Sequence, residues 1–256
     1  MGRSQVRKEI ANANETHIRF LTGGPAVADM NQRIALLEKA ELFEGLDSSI
    51  CAYMASTALS RHYGCQDVIF AAGDPIKGVL LLTAGRVKLT RFSEEGAEVI
   101  LRLCVPGEVV YPPAMVPEEI YYSTAETVQE CRLLTWDART FETAQGRFPT
   151  LRSNAKRALE RQILELELRL RQACTKKVSP RLALALHHLV NQIGHKVNGH
   201  VEVALTRESL AQMTAMNAAT VSRVLSRWEK IGILSLRREA IDVHNVPGLS
   251  DLCKFR

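Results

Sequence analysis

The stretch that most limits how this chain can fold lies between residues 148 and 174. Leu151, Ala155, Leu159, Ile163, Leu166, Leu170 and Ala173 recur there at nearly heptad spacing. That spacing predicts one long helix. Leu164 and Leu168 fall off the stripe, on another face. A helix with two apolar faces has to bury both. The simplest arrangement sets a second copy of the chain on the heptad face, through Leu159, Ile163, Leu166 and Leu170, and a β-domain on the other. A single-chain core helix with one wide apolar face is the competing arrangement.

After the long helix, Pro180 fits the first turn of a new helix capped by Ser179 and running over Arg181–Ile193. Gly194 to Asn198-Gly199 reads as a turn, and His200–Leu205 as a strand. Residues 206–234 then read as two short helices joined by a tight turn. Thr206 is a candidate N-cap, Glu208 puts a carboxylate in the first turn, and Asn217 can cap the second helix. On that second helix Val221, Val224, Leu225, Trp228 and Ile231 recur at helical spacing and are expected to face a core. Ala219, Ser222, Arg223, Ser226, Arg227 and Lys230 fall on the other face, small at its start and basic further along. A helix that enters a DNA major groove needs this profile: little bulk, hydroxyls, and an Arg aimed at a guanine. An ordinary amphipathic pair with a solvated basic face would share the apolar pattern. Gly232 can end the helix. Beyond it, Ile233–Leu236 and Ala240–Val243 read as a hairpin wing whose tip carries Arg237-Arg238-Glu239.

Ahead of the long helix, residues 31–59 read as helical with a break at Gly45-Leu46-Asp47. From Arg61 to Trp136 short β-type runs alternate with turn residues. They include Asp67–Phe70, Gly78–Leu82, Arg86–Thr90 and Val99–Leu103, which predict a small barrel or sandwich. Residues 1–30 read as an extension, with a weak helix over 4–20 broken at Thr22–Pro25.

Net charge over the 256 residues is +5, but it is unevenly spread. Residues 61–150 carry nine Lys and Arg against twelve Asp and Glu, and residues 151–256 carry eighteen against nine. A polyanion partner is therefore expected for the C-terminal part alone. No apolar run approaches a membrane span, and no apolar signal core follows the N-terminus, so a cytoplasmic location is expected. The six cysteines are scattered without a C-x-x-C pair, which suits free thiols. His187, His188, His195 and His200 match no standard zinc spacing, and no metal site is expected. No nucleophile–base pair, phosphate loop or set of paired acids stands at a persuasive spacing, so an enzyme is not expected.

Helices, β-roll, long helix and winged helix-turn-helix, in this order over residues 32–250, resemble the Crp/Fnr family of bacterial transcription factors, the family of the cyclic-AMP receptor protein and the fumarate-nitrate regulator. Leu42–Leu46 looks like its opening helix turn. Val68–Pro75 and Gly85–Leu89 look like its β-roll signatures, and Leu103–Glu108 like its proline-glycine-acid turn. Thr220-Val221-Ser222-Arg223 matches the core of its recognition helix. The resemblance implies a β-roll sensor whose state the long helix transmits to a DNA-binding domain, with RNA polymerase as a second partner.

The departures from the family pattern narrow the branch. Cyclic-nucleotide binders carry a Gly-Glu pair after the proline-glycine turn and an Arg-Ser pair further on. Here Tyr111-Pro112 and Tyr122-Ser123 stand there. Without the Arg a buried phosphate loses its charge-assisted bonds, which argues against cyclic AMP. On the long helix, Leu166-Glu167 aligns with the polar pair that meets adenine. Cys131 resembles one ligand of the family's iron–sulfur branch, but no cysteine precedes Cys51, so a cluster is not expected. Haem stays open as the runner-up, with His62, Cys104 and Met115 as candidates. In the recognition helix Ala219 replaces a common Glu, and Ala215 replaces the glycine usual in the turn.

The sequence therefore predicts an α+β chain in four parts: an extension over 1–30, a β-roll (cyclic-nucleotide-binding-like jelly roll) over 31–147, a dimerisation helix over 148–176, and a winged helix-turn-helix over 177–256. The expected function is a homodimeric transcription regulator that binds a near-palindromic double-stranded operator and answers to an unidentified effector, redox or gas signal. Thr206, Arg207, Asn217, Ala219, Thr220, Ser222, Arg223, Arg227 and Arg237 are the expected DNA-facing residues. The rivals are a haem-binding gas sensor of the same family and a ligand-binding regulatory subunit that does not touch DNA.

Overall fold

The computed structural model describes residues 27–94, 96–111 and 120–254. The expected helix over 4–20, Pro112 and Met115 lie outside the described residues. The chain opens with α1 (Val27–Glu38), a single 3-10 turn (Glu41–Phe43) and α2 (Ser48–Thr57). Seven strands follow: β1 (Leu59–Tyr63), β2 (Val68–Phe70), β3 (Gly78–Ala84), β4 (Val87–Phe92), β5 (Glu98–Cys104), β6 (Thr124–Thr127) and β7 (Cys131–Asp137). They make two antiparallel sheets, ordered β1-β7-β3 and β2-β6-β4-β5. One apolar core fills the roll, around Phe70, Leu82, Val87, Val110, Tyr121 and Leu133. A second joins the roll to the helices through Leu37, Phe43, Met54, Trp136, Phe141 and Leu151. Trp136 is enclosed, and its indole N–H donates to Met54 O at 2.9 Å, so this buried donor is paired.

Helix α3 (Ala138–Arg147) was not expected from the sequence. Its buried side chains are only Phe141 and Ala144, too few for a periodic signal, yet Asp137 caps it by accepting from Thr140 N at 2.9 Å. Helix α4 (Pro149–Thr175) is the predicted long helix, with Pro149 in its first turn. Its base is fixed to the roll. Leu151 and Ala155 are buried there, and the buried Asn154 amide donates to Leu42 O at 3.0 Å and Glu44 O at 2.8 Å.

Further along α4 the picture departs from expectation. The half-buried positions toward the rest of the chain are polar, at Gln162, Glu165 and Arg169. Ile163, Leu164, Leu166, Leu168 and Leu170 are each between 44% and 65% exposed. The β-domain therefore does not cover Leu164 and Leu168, contrary to what their spacing predicts. The heptad stripe also divides: Leu151 and Ala155 belong to the roll's core, Leu159 is half-buried, and Ile163, Leu166 and Leu170 are free.

The C-terminal domain comprises α5 (Val178–Ile193), β8 (His195–Val197), β9 (His200–Val203), α6 (Arg207–Thr214), α7 (Ala218–Lys230), β10 (Leu234–Leu236), β11 (Ile241–Val243) and α8 (Val246–Leu252). Its sheet runs β10-β11-β9-β8. The sequence pattern places β8 within a turn. The turn is tighter: Asn198 (φ 44°) and Gly199 (φ 87°) supply the two left-handed residues of a two-residue hairpin.

The turn between α6 and α7 places Ala215 at φ 49°, ψ 44°. A Cβ in that region clashes with the following carbonyl, so Ala costs about 1 kcal/mol relative to Gly. Ala215→Gly is expected to raise stability by about that amount, read as a higher urea midpoint at unchanged slope. An unchanged or lowered midpoint would show that the turn carries no strain.

Candidate nucleic-acid interface

Both helices of the C-terminal pair are capped as the sequence predicts. Thr206 Oγ1 accepts from Ser209 N at 3.0 Å, and Asn217 Oδ1 accepts from Ala219 N at 2.8 Å. These bonds use side chains that were expected to face DNA, and they fix where each helix begins. Val221, Leu225 and Trp228 are buried in the domain core and hold α7 by one face. Ile231 is not buried there. Helix α7 ends at Lys230, Gly232 takes φ 75°, and Ile231 is left outside.

The opposite face of α7 is open. Ala218, Ala219, Arg223, Arg227 and Lys230 are exposed, with Thr220, Ser222 and Ser226 half-buried beside them. Arg227 and Lys230 lie in the last turn, where the helix dipole favours cations. Arg207 is exposed at the start of α6. A cleft of about 360 Å³ runs along this face, lined by Thr220, Arg223, Val224 and Arg227 and, from the start of α5, by Lys177, Val178 and Ser179. Lys177 and Ser179 were not among the expected DNA-facing residues. The signal was present as two lysines immediately ahead of a helix start.

The wing differs from expectation in one respect. The Arg237 guanidinium is ion-paired with Glu202 and with Asp242, the latter at 2.7 Å, so its charge is largely answered within the sheet. Arg238, 96% exposed at the tip, has only a loose 3.9 Å pairing with Glu239. Glu229 Oε1 accepts from Leu236 N at 2.9 Å and ties the wing to the end of α7. His200 lies edge-on to His244 and 3.7 Å from Asp242. Among the described residues no three His, Cys, Asp or Glu side chains form a metal-holding group.

Inside the roll, aromatic rings occupy the interior. Phe70 and Tyr121 stack with centroids 3.6 Å apart, and Tyr111 stands edge-on to both, at 5.8 Å and 5.0 Å. Burial pushes the Tyr121 phenol up to about 12, so the group is neutral at physiological pH. Tyr122, which the family resemblance sets where cyclic-nucleotide binders carry an Arg, is 62% exposed. Of the haem candidates among the described residues, His62 is exposed on β1, whereas Cys104 is fully buried inside the other sheet. Burial pushes the Cys104 thiol up to about 12, which disfavours the thiolate a metal would need.

A β-roll joined through one long helix to a winged helix-turn-helix with an open, basic reading face defines a DNA-binding transcription regulator. Residues 60–146 match the cyclic nucleotide-binding domain, and residues 180–252 match the Crp-like helix-turn-helix domain. The chain belongs to the Crp/Fnr family. It is 24% identical over 187 residues to an anaerobic regulatory protein of Haemophilus influenzae, covering 72% of each chain. It is 23% identical over 208 residues to a CRP-like cAMP-activated global transcriptional regulator of Mycobacterium tuberculosis, covering 80% of this chain and 93% of that one. Its fold is similar to that of a CRP/FNR-family transcriptional regulator from Thermus thermophilus (TM-score 0.67, 23% identity), covering 77% of this chain and all of that one. No helix among the described residues is long and apolar enough to cross a membrane.

Proposed function

We propose that the chain works as a homodimer paired through Leu159, Ile163, Leu166 and Leu170, and that each copy reads one half of a near-palindromic operator with α7. The observation that carries the reading is the open face of α7, small at Ala218 and Ala219 and basic at Arg223, Arg227 and Lys230. Arg223 meets a guanine edge, and Thr220, Ser222 and Ala219 lie against neighbouring bases. Arg207, Arg227 and Arg238 meet backbone phosphates, joined by Lys177 and Ser179 across the cleft. Arg237 has the smaller part in DNA contact, because Glu202 and Asp242 already hold it. Two copies place the half-sites one helical turn apart, about 34–36 Å. RNA polymerase as a second partner, and work in the cytoplasm where a bacterial chromosome lies, follow from the family resemblance.

Binding-site selection from random duplex DNA tests the reading. A recovered near-palindrome with a fixed guanine in each half is expected. Recovery of no preferred sequence would favour a regulatory subunit that leaves DNA alone.

Cyclic AMP is not the effector in this reading, although one relative is named for activation by it. Phe70, Tyr111 and Tyr121 fill the roll, and Tyr122 brings no cation to a phosphate. Calorimetry with millimolar cyclic AMP is expected to show no binding heat and no gain in operator affinity. Micromolar binding would overturn this. It would mean that the rings move aside and that another group supplies the charge.

A further inference from the structure

Among the described residues strand β5 lies at the edge of its sheet, paired only with β4. Its outer side is covered by the DNA-binding domain. Leu103 is 2% exposed and packs into that domain's core beside residues of α5, α6 and α7. Gln192 of α5 donates to Leu103 O at 2.9 Å, and Arg169 of α4 donates to Leu101 O. Gln212 of α6 donates to Glu98 Oε2 at 3.0 Å, while Lys88 holds the other oxygen of that carboxylate at 3.0 Å. Next to β4, Arg86 donates to Ala204 O at 2.7 Å, immediately ahead of α6. All of these contacts use α4, α5, the β9–α6 link and α6. None uses the open face of α7.

We infer that β5 is the seat that holds the DNA-binding domain in its DNA-reading pose, with Leu103 as the plug and Glu98–Gln212 and Arg86–Ala204 as ties. Leu103, Glu98, Gln212 and Arg86 are then positioning residues: they touch no DNA and set how much of the protein is ready to bind it. Because the ties leave Ala219, Arg223 and Arg227 uncovered, seating and reading are compatible. A domain that leaves the seat becomes free to tumble at the Lys176-Lys177 link, and apparent affinity falls by the fraction still seated. The inference rests on α7 being the reading helix, and its test uses the duplex recovered by selection, so failure of the selection and failure of the seat are separate results.

The test joins the seat covalently. Glu98→Cys and Gln212→Cys are introduced into the full chain carrying Cys65→Ser and Cys174→Ser, the exposed native thiols, and bridged with a short bis-maleimide. The bridged protein is expected to bind the selected duplex as tightly as the Cys65→Ser, Cys174→Ser parent that keeps Glu98 and Gln212, with the same salt slope. Arg86→Ala together with Gln212→Ala, both outside the apolar cores, is expected to lower affinity about tenfold at unchanged salt slope, because no phosphate contact is lost. Two results would overturn the seat. One is a bridged protein that no longer binds while the singly capped variants still do, which would make the docked pose the silent one. The other is a pair of thiols that react singly but never bridge, which would show that the pose is not occupied.

Discussion

A chain carrying Leu166→Asp is expected to sediment at the mass of one copy and to lose its operator affinity. In the single chain Leu166 is 55% exposed, so the carboxylate meets water and the fold stays intact. In a dimer seam the same carboxylate faces its symmetry mate in an apolar strip, at a cost on the order of several kcal/mol. Loss of the pair removes one of the two half-site contacts from every binding event. Leu164→Asp separates the two apolar faces of α4. If only the heptad face makes the seam, that variant remains a dimer. A Leu166→Asp protein that still sediments as two copies would end the paired-helix reading.

The second large effect is expected at the reading helix. Arg223→Ala should relax selection at the guanine, by about 1–3 kcal/mol of discrimination. Ala219 lies one turn earlier on the same exposed face. A carboxylate there can accept from cytosine N4, whereas Ala offers only contact with a thymine methyl. Ala219→Glu is therefore expected to add a base preference of about 1–3 kcal/mol at one position per half-site. The salt slope should not change, since no phosphate contact is gained. Site selection on wild type and both variants reads all of this. An Ala219→Glu protein with an unaltered preference would place residue 219 outside the groove.

Features set by local chemistry were legible in the sequence, and those set by distant contacts were not. The caps Thr206 and Asn217 were visible because a hydroxyl or amide ahead of an apolar repeat satisfies free helix amides wherever it occurs. The strained Ala215 was visible because a known turn geometry met a residue with a Cβ. Helix α3 was hidden because two buried side chains, Phe141 and Ala144, cannot establish a period. Arg237 looked free beside Arg238, because its partners Glu202 and Asp242 come from neighbouring strands and only the sheet register brings them near. Leu164 and Leu168 were assigned to the β-domain on spacing alone. Which side of α4 meets the roll is decided by Asn154 and Ala155 at its base. Leu103 read as an ordinary strand residue, and nothing local marks it as part of another domain's core.

The covered edge of β5 also bears on solubility. An uncovered edge strand offers its free amides and carbonyls to any other extended chain. Here Arg169 and Gln192 occupy the carbonyls of Leu101 and Leu103, and α6 lies across the strand. The same contacts that orient the reading helix thus keep an aggregation-prone ribbon out of solution. Copies whose DNA-binding domain has come loose would expose Leu103 and an unprotected strand together. Selection for a protein that stays dispersed in the cell would then favour the seated pose even where no operator is within reach.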